Sequence, residues 1–322
     1  PMRIVQLEEI MPLVSLPNSI DAVREAFIAF SGGLIDQPSP MQMLFTKDDG
    51  NFFGDCHVKS AQQQGHPYFV IKIAAGFYQN TEIGLPANNG LLLVMSSETG
   101  HPVALLKDEG WLTQIRTAAA GALAAGLKPV GQDACLGIIG TGSQAYWQAS
   151  LISHHLGLTK VVVYGRNYAA SLELCERLNN ELGLTATAMT TPYEVCQVSN
   201  ILVTVTPSTK PVINLSDLPD ELHIVAVGAD SPGKNEIASE IMKNADVIVT
   251  DNHDQCLAHG DFGVAVRAGM VAEDAAVGLP DLLAGKRSAV DFSRAKLTVV
   301  DLTGMGAQDL AIASVVVGGL SL

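Results

Sequence analysis

The stretch GIIGTGSQA, from Gly137 to Ala145, holds the residue types and spacing that point most directly to chemistry. An apolar run leads into it, and Gly140, Gly142 and Ala145 stand in a G-x-G-x-x-A pattern. In such a pattern Gly140 permits a sharp turn from strand to helix, and Gly142 lets the backbone approach a pyrophosphate. Ala145 lets the helix pack closely on the strand, and the helix N-terminus faces the phosphate charge. Ser143 and Gln144 fall between these residues and are candidate cofactor contacts with them. A structural turn without a ligand uses the same glycines, so the second strand matters. That strand ends Tyr164-Gly165-Arg166-Asn167. A strand serving NAD ends in an acid about 20 residues past the turn, where it accepts hydrogen bonds from the ribose. No acid stands here, and a guanidinium pairs well with a 2′-phosphate. The expected cofactor is therefore NADP(H) in preference to NAD(H), with Arg166 and Asn167 on the phosphate. Otherwise Arg166 is an ordinary solvated residue.

Three further charges sit in telling surroundings. Lys72 lies within the apolar run FVIKIAAG, and Arg116 within the Ala-rich LTQIRTAAAGALAA. A charge in either setting needs an anionic partner, whether a ligand or a structural ion pair. Asp230 follows the apolar strand LHIVAV, at the end where open α/β sheets place ligands. The Ser-Pro-Gly-Lys turn after it also suits a turn or capping role. Thr206, Pro207 and Ser208 follow another apolar strand and are expected to border the nicotinamide.

The elements that must position these residues alternate in the centre of the chain. Strand candidates are 134–139, 160–164, 200–205, 222–227, 246–250 and 297–301. Most are short, β-branched and apolar on both faces, as buried parallel strands are. Helix candidates are 143–156, 169–182, 193–197 and 236–244. Such alternation predicts an α/β fold with a Rossmann-type doubly wound sheet. The first part of the chain differs. A helix over 17–32 is followed by strand-like runs 41–46, 68–74, 89–96 and 103–107, an α+β pattern with antiparallel strands. An Ala-rich helix over 111–127 links the two parts, and a tail helix over 304–320 returns to the first. The expected division is 1–113 with 303–322 as an α+β substrate-binding and dimerisation domain, and 114–302 as the dinucleotide-binding domain.

Composition limits the partners. With 322 residues, 48% apolar and 16% charged, the chain reads as an ordered globular protein. A net charge of −14 argues against a broad basic face for nucleic acid or anionic membrane. Any anionic ligand is then held by a few local cations. The five cysteines are scattered and form no C-x-x-C pair, which fits reduced thiols in a cytoplasm. No apolar run reaches the ~18 residues of a membrane span, and no leader pattern opens the sequence. The eight histidines show no metal-ligand spacing.

Several segments together resemble the ornithine cyclodeaminase/μ-crystallin family: Lys72 in FVIKIAAG, Arg116 in IRTAAA, GTGSQA, TVTPSTKPVI, GADSPGKNEI and DLTGMGAQDLA. The resemblance runs over nearly the whole chain. It implies a homodimer and hydride exchange between nicotinamide and C2 of an α-amino or α-imino acid. It implies that Lys72 and Arg116 bind the substrate carboxylate, that Asp230 is the acid/base, and that Met41 and Gly304 border the substrate. The leading activity is reduction of a cyclic ketimine acid such as Δ1-pyrroline-2-carboxylate to L-proline. Ornithine cyclodeamination, reductive amination of a small keto acid as in alanine dehydrogenase, and a ligand-binding protein with little turnover are the alternatives. The chain departs from the family pattern in places. Met41 stands where relatives carry a basic residue, leaving Lys59 as a possible substitute. Gly54-Asp55-Cys56 replaces Met-Pro-Ala, and Phe77-Tyr78-Gln79-Asn80 replaces a His-Pro-x-Asn run.

Overall fold

The computed structural model describes residues 2–287 and 290–320. The chain divides into two compact units, 1–117 with 305–322, and 118–304. The first division falls inside the Ala-rich helix, four residues beyond the position expected from sequence, and the second two residues beyond it.

The first unit opens with β1 (Arg3–Gln6), a short helix α1 (Leu7–Ile10) and α2 (Leu16–Ser31). Ser15 caps α2 by accepting from the Asn18 amide, while Asn18 returns a bond to the Ser15 amide. Then come β2 (Ile35–Asp36), β3 (Met41–Thr46), β4 (Phe52–Gln63), β5 (Tyr68–Gly76), β6 (Asn88–Ser96), β7 (Pro102–Lys107) and α3 (Trp111–Ala125). The strands form one sheet in the order β1-β7-β6-β5-β4-β2, with β3 also pairing β4. Every pairing is antiparallel except β1 with β7. The long strand β4 is absent from the sequence reading. Its run FFGDCHVKSAQQ mixes polar and apolar residues, and cross-strand partners supply what propensity does not.

The second unit runs β8 (Cys135–Ile139), α4 (Ser143–Leu156), β9 (Lys160–Tyr164), α5 (Tyr168–Leu182), β10 (Thr185–Ala188), α6 (Pro192–Val198) and β11 (Ile201–Thr204). It continues with β12 (Leu222–Ala226), α7 (Ser239–Asn244), β13 (Val247–Thr250), α8 (His253–His259), α9 (Asp261–Arg267), β14 (Ala276–Gly278), α10 (Leu279–Leu283) and β15 (Leu297–Asp301). All eight strands are parallel, in the order β10-β9-β8-β11-β12-β15-β13-β14. This is the Rossmann-type sheet expected from the alternation. The order reverses between β8 and β11, the switch point at which such sheets hold ligands. Leu136, Ile138, Val163, Leu202, Val203, Ile224 and Val225 are fully buried, so both faces of the sheet are covered. His223 sits in this core. Its Nδ1 pairs with the Thr298 hydroxyl at 2.6 Å and its Nε2 with the Ala124 carbonyl at 2.9 Å. Burial pushes its pKa down to about 4, so it stays neutral.

The last helix, α11 (Gly306–Gly319), belongs to the first unit. It packs on α2, β4 and β5. A Cβ on Gly306 would strike the Ser60 carbonyl on β4, so only glycine lets the helix start this close to the strand. No helix among the described residues is long and apolar enough to cross a membrane.

Candidate functional site

In the second unit, a cleft of about 560 Å³ opens at the C-terminal ends of β8, β9 and β11. Its walls include Gly140, Gly142, Arg166, Thr206, Pro207 and Ser208. Gly140 has φ +130°, and a Cβ there would lie 2.5 Å from the Val205 carbonyl oxygen. The crossing of the two strand ends therefore requires glycine. A Cβ on Gly142 would meet nothing within 4 Å, so the backbone there faces open space. Gly142 is also the N-cap of α4 and has no side chain to satisfy the helix amides. Those amides, with the helix dipole, suit a phosphate. Ala145 is fully buried against the sheet. Gln144 Oε1 accepts from Gln148 Nε2 at 2.8 Å, and Ser143 is exposed at the first position of α4.

At the end of β9 both expected phosphate contacts, Arg166 and Asn167, line the cleft. Arg166 is exposed and makes no hydrogen bond or ion pair with any described residue. Asn167 also caps α5, its Oδ1 accepting from the amides of Ala169 and Ala170. Lys210, which sequence reasoning did not single out, also lines the cleft.

The loop after β11 is held from below by Glu236, another residue the sequence reading passed over. Glu236 is fully buried. Its Oε1 accepts from the Thr206 amide at 2.6 Å and the Thr206 hydroxyl at 2.8 Å. Its Oε2 accepts from the Thr204 hydroxyl at 3.0 Å and the Gly228 amide at 2.7 Å. One carboxylate thus ties the cleft loop at 206–208 to the loop that carries Asp230. Burial, reinforced by the neighbouring Asp261, pushes its pKa up against those hydrogen bonds. The helix expected over 236–244 begins only at Ser239, because the backbone before it bridges Ile237 to Ile213 and donates the Glu236 and Ile237 amides to Asp261. Asp230 itself is exposed and accepts from Lys234 Nζ at 2.7 Å. Gly304 donates its amide to Asp251 Oδ2 at 2.8 Å and accepts from Gln255 Nε2 at 2.5 Å.

The first unit brings together Lys72, Arg116 and a residue missed in the sequence, Asp309. Lys72 occupies a core row of β5 in line with Val70, and only 2% of it is exposed. Its Nζ donates to Asp309 Oδ1 at 2.9 Å. Arg116, also buried, donates from Nε to the same oxygen at 2.9 Å and from Nη1 to Gln308 Oε1 at 2.8 Å. Asp309 lies in the first turn of α11, where the helix dipole favours an anion. Its Oδ2 and the Gln308 Nε2 are buried without a hydrogen-bond partner among the described residues. Lys59 pairs across the strands with Lys72, placing a third cation on the same face. Burial first, and then Arg116, push Lys72 down to about 7, although Asp309 pulls the other way. Burial acts to raise Asp309, but Arg116, Lys72 and Lys59 outweigh it and hold the carboxyl below its usual range. Asp108, which caps α3 through the Leu112 amide at 2.8 Å, is pushed up by burial.

Met41 is not brought to this cluster. It pairs with Val58, so it shares the face of Val58 and Ile73, opposite to that of Lys59 and Lys72, and it is 56% exposed. The period of two along a strand decides this, and the sequence could not supply the register. Among the described residues no group of three or more His, Cys, Asp or Glu side chains could hold a metal ion.

The model of the ornithine cyclodeaminase/mu-crystallin family matches residues 2–320. The chain belongs to this family. One relative in it, described as an uncharacterized cyclodeaminase of Sinorhizobium fredii, is 35% identical over 97% of this chain and 94% of its own. A Δ1-pyrroline-2-carboxylate reductase of Bacillus cereus is 26% identical over 97% of this chain and 94% of its own. A solved archaeal alanine dehydrogenase, a dimer with bound NAD, superimposes with a TM-score of 0.87 at 30% identity. It covers 98% of this chain and 94% of that one.

Proposed function

We propose that this member of the family is an NADP(H)-preferring oxidoreductase that reduces the C=N bond of a cyclic ketimine acid, such as Δ1-pyrroline-2-carboxylate, to the L-amino acid. The observation that carries the reading is the surplus of buried donors around Asp309. A lysine offers three N–H donors and an arginine five, yet Lys72 gives one bond and Arg116 two. With Lys59 facing them, these groups suit a second anion, the α-carboxylate of the substrate. Clamping that carboxylate fixes C2, and such positioning is a large part of catalysis.

A nicotinamide bound in the cleft supplies the hydride for C2. The open space at Gly142, the uncapped start of α4 and the unpartnered Arg166 fit the pyrophosphate and a 2′-phosphate. Asp230, with Lys234 at 2.7 Å, is assigned the proton that reaches the imine nitrogen. The braced loop at Thr206, Pro207 and Ser208 is assigned to the nicotinamide side of the cleft.

The test is NADPH oxidation on addition of Δ1-pyrroline-2-carboxylate or its six-membered homologue, which Asp230→Asn is expected to slow about 10²-fold or more. Full turnover in that variant would remove Asp230 from the mechanism. The bound NAD of the solved relative favours a second reading, NAD-linked reductive amination of a small keto acid. That reaction requires free ammonium or an amine. A cyclodeaminase would release ammonia from L-ornithine with no net cofactor consumption. The dimer of the same relative supports a homodimer here, with the exposed Met43, Leu44 and Phe52 of the first unit in the interface.

A further inference from the structure

We propose that Lys210 joins Arg166 in gripping the 2′-phosphate of the cofactor, from the opposite wall of the cleft, and that Ser208 fixes Lys210 for this task through the Glu236 brace. The proposal rests on the reading that the cleft takes NADP(H). Among the described residues that line the cleft, Arg166 and Lys210 are the only charged side chains, in a chain of net charge −14. Both are exposed, and neither side chain makes a hydrogen bond or ion pair with a described residue. Two like charges that border one space without a counter-ion suit an anion. The diphosphate does not require them, because the uncapped amides of α4 already suit it. A phosphate monoester carries roughly −1.5 to −2 charges at neutral pH, which two cations match.

The placement agrees with this. β9 and β11 flank β8 in the sheet, so the strand ends from which the Arg166 and Lys210 loops leave stand about 10 Å apart. Two long side chains span that gap around a phosphate. Gly165 stands at the end of β9, where a strand serving NAD carries an acid. A Cβ on Gly165 would lie 2.5 Å from Thr141 Cγ2, so no acid fits there to repel the phosphate. The Lys210 backbone is also held. Ser208 Oγ accepts from the Lys210 amide at 3.2 Å and donates to the Lys210 carbonyl at 2.6 Å. The Ser208 amide donates to the Thr206 hydroxyl at 3.3 Å, and that hydroxyl donates to Glu236. The Asn235 amide donates to the Ser208 carbonyl at 2.9 Å. A chain of hydrogen bonds thus leads from the buried carboxylate to the exposed lysine. Fixing the backbone lowers the entropy lost when a flexible ammonium engages its ligand.

Fluorescence titrations with NADPH and NADH read the grip without turnover, on the native protein, Lys210→Ala, Lys210→Arg, Ser208→Ala and the double Ala variant. Lys210→Ala is expected to weaken NADPH binding roughly tenfold and NADH binding far less. Lys210→Arg is expected to keep the preference for NADPH. Ser208→Ala is expected to lower that preference by a smaller factor, and to lower it no further once Lys210 is Ala. Loss of a nicotinamide contact affects both cofactors alike, so the ratio isolates the phosphate. Equal losses for both cofactors in Lys210→Ala would move Lys210 to the diphosphate, and no loss would remove it from the cleft. Either result overturns the proposal while a native preference for NADPH keeps the cofactor reading. A Ser208→Ala effect on the ratio that is the same with and without Lys210 would overturn the chain of bonds. Equal native affinities for NADPH and NADH would overturn the cofactor reading and the proposal together.

Discussion

Lys72, proposed to grip the substrate carboxylate, has a setting with a measurable consequence. Its folded pKa of about 7 lies below that of a free lysine, so the free enzyme loses the ammonium as pH rises through about 7. The expected profile of kcat/KM falls on the alkaline side of that value. Lys72→Met is expected to lower kcat/KM roughly tenfold to hundredfold and to remove this limb. A limb that persists in the variant would assign it to another group. Arg166 makes a separate prediction. Its replacement by Ala is expected to weaken NADPH binding by roughly tenfold to hundredfold and to change NADH binding far less, in fluorescence titrations. Equal losses for both cofactors would place Arg166 away from the 2′-phosphate. Lys72 was legible in the sequence as a charge in an apolar run, and Arg166 as the residue standing where an acid would serve NAD. Asp309 was not, because the pattern of α11 marks it only as one acid in an apolar helix. The anion that answers Lys72 lies 237 positions away.

Elements, rather than single residues, decide how the cleft is held open. β8, the Gly140 turn and α4 follow from a local signal of strand, glycine and helix, and the expected helix over 143–156 coincides with α4. The brace by Glu236 does not, since its four donors come from two segments distant from each other in the sequence. Its carboxyl is raised from 4.5 to about 8 on folding, so the native state binds the extra proton between those values. The stability from this group is complete at low pH and is lost as pH rises towards 8. Glu236→Gln, which does not titrate, is expected to flatten stability against pH relative to the native protein. The difference is at most about 1.4 kcal/mol per pH unit, read from urea unfolding between pH 5 and 8. Parallel curves for the two proteins would mean the carboxylate is ionised throughout. The same variant sets an amide against the Thr206 or Gly228 N–H, so weaker cofactor binding is expected alongside.

For the whole molecule, the prediction concerns assembly. Met41 and Met43 expose apolar surface on one face of the edge strand β3, Leu44 on the other, and Phe52 at the start of β4. So many exposed apolar side chains at one edge are unusual on a monomer. Met43→Asp, on the face away from Lys59 and Lys72, is expected to convert a dimer to monomers in light scattering coupled to gel filtration. A native protein that runs as a monomer would remove the interface altogether. The acidic net charge of −14 is compatible with anionic ligands because the cations proposed to hold them, Lys72 and Arg116 in one unit and Arg166 in the other, are few and local.

Local signals in the chain determined the Rossmann-type sheet, the glycine turn and the missing acid after β9. Each depends on residues within a few positions of one another. Strand and helix periods, turn chemistry and charges in apolar runs are all short-range properties. Tertiary structure alone decided that Asp309 answers Lys72 and Arg116, that Glu236 ties two loops, that Asn167 caps a helix, and that Met41 faces away from the cations. These outcomes follow from strand register and from α11 docking on β4. A shift of one residue in pairing turns every side chain to the other face, and no local pattern records it.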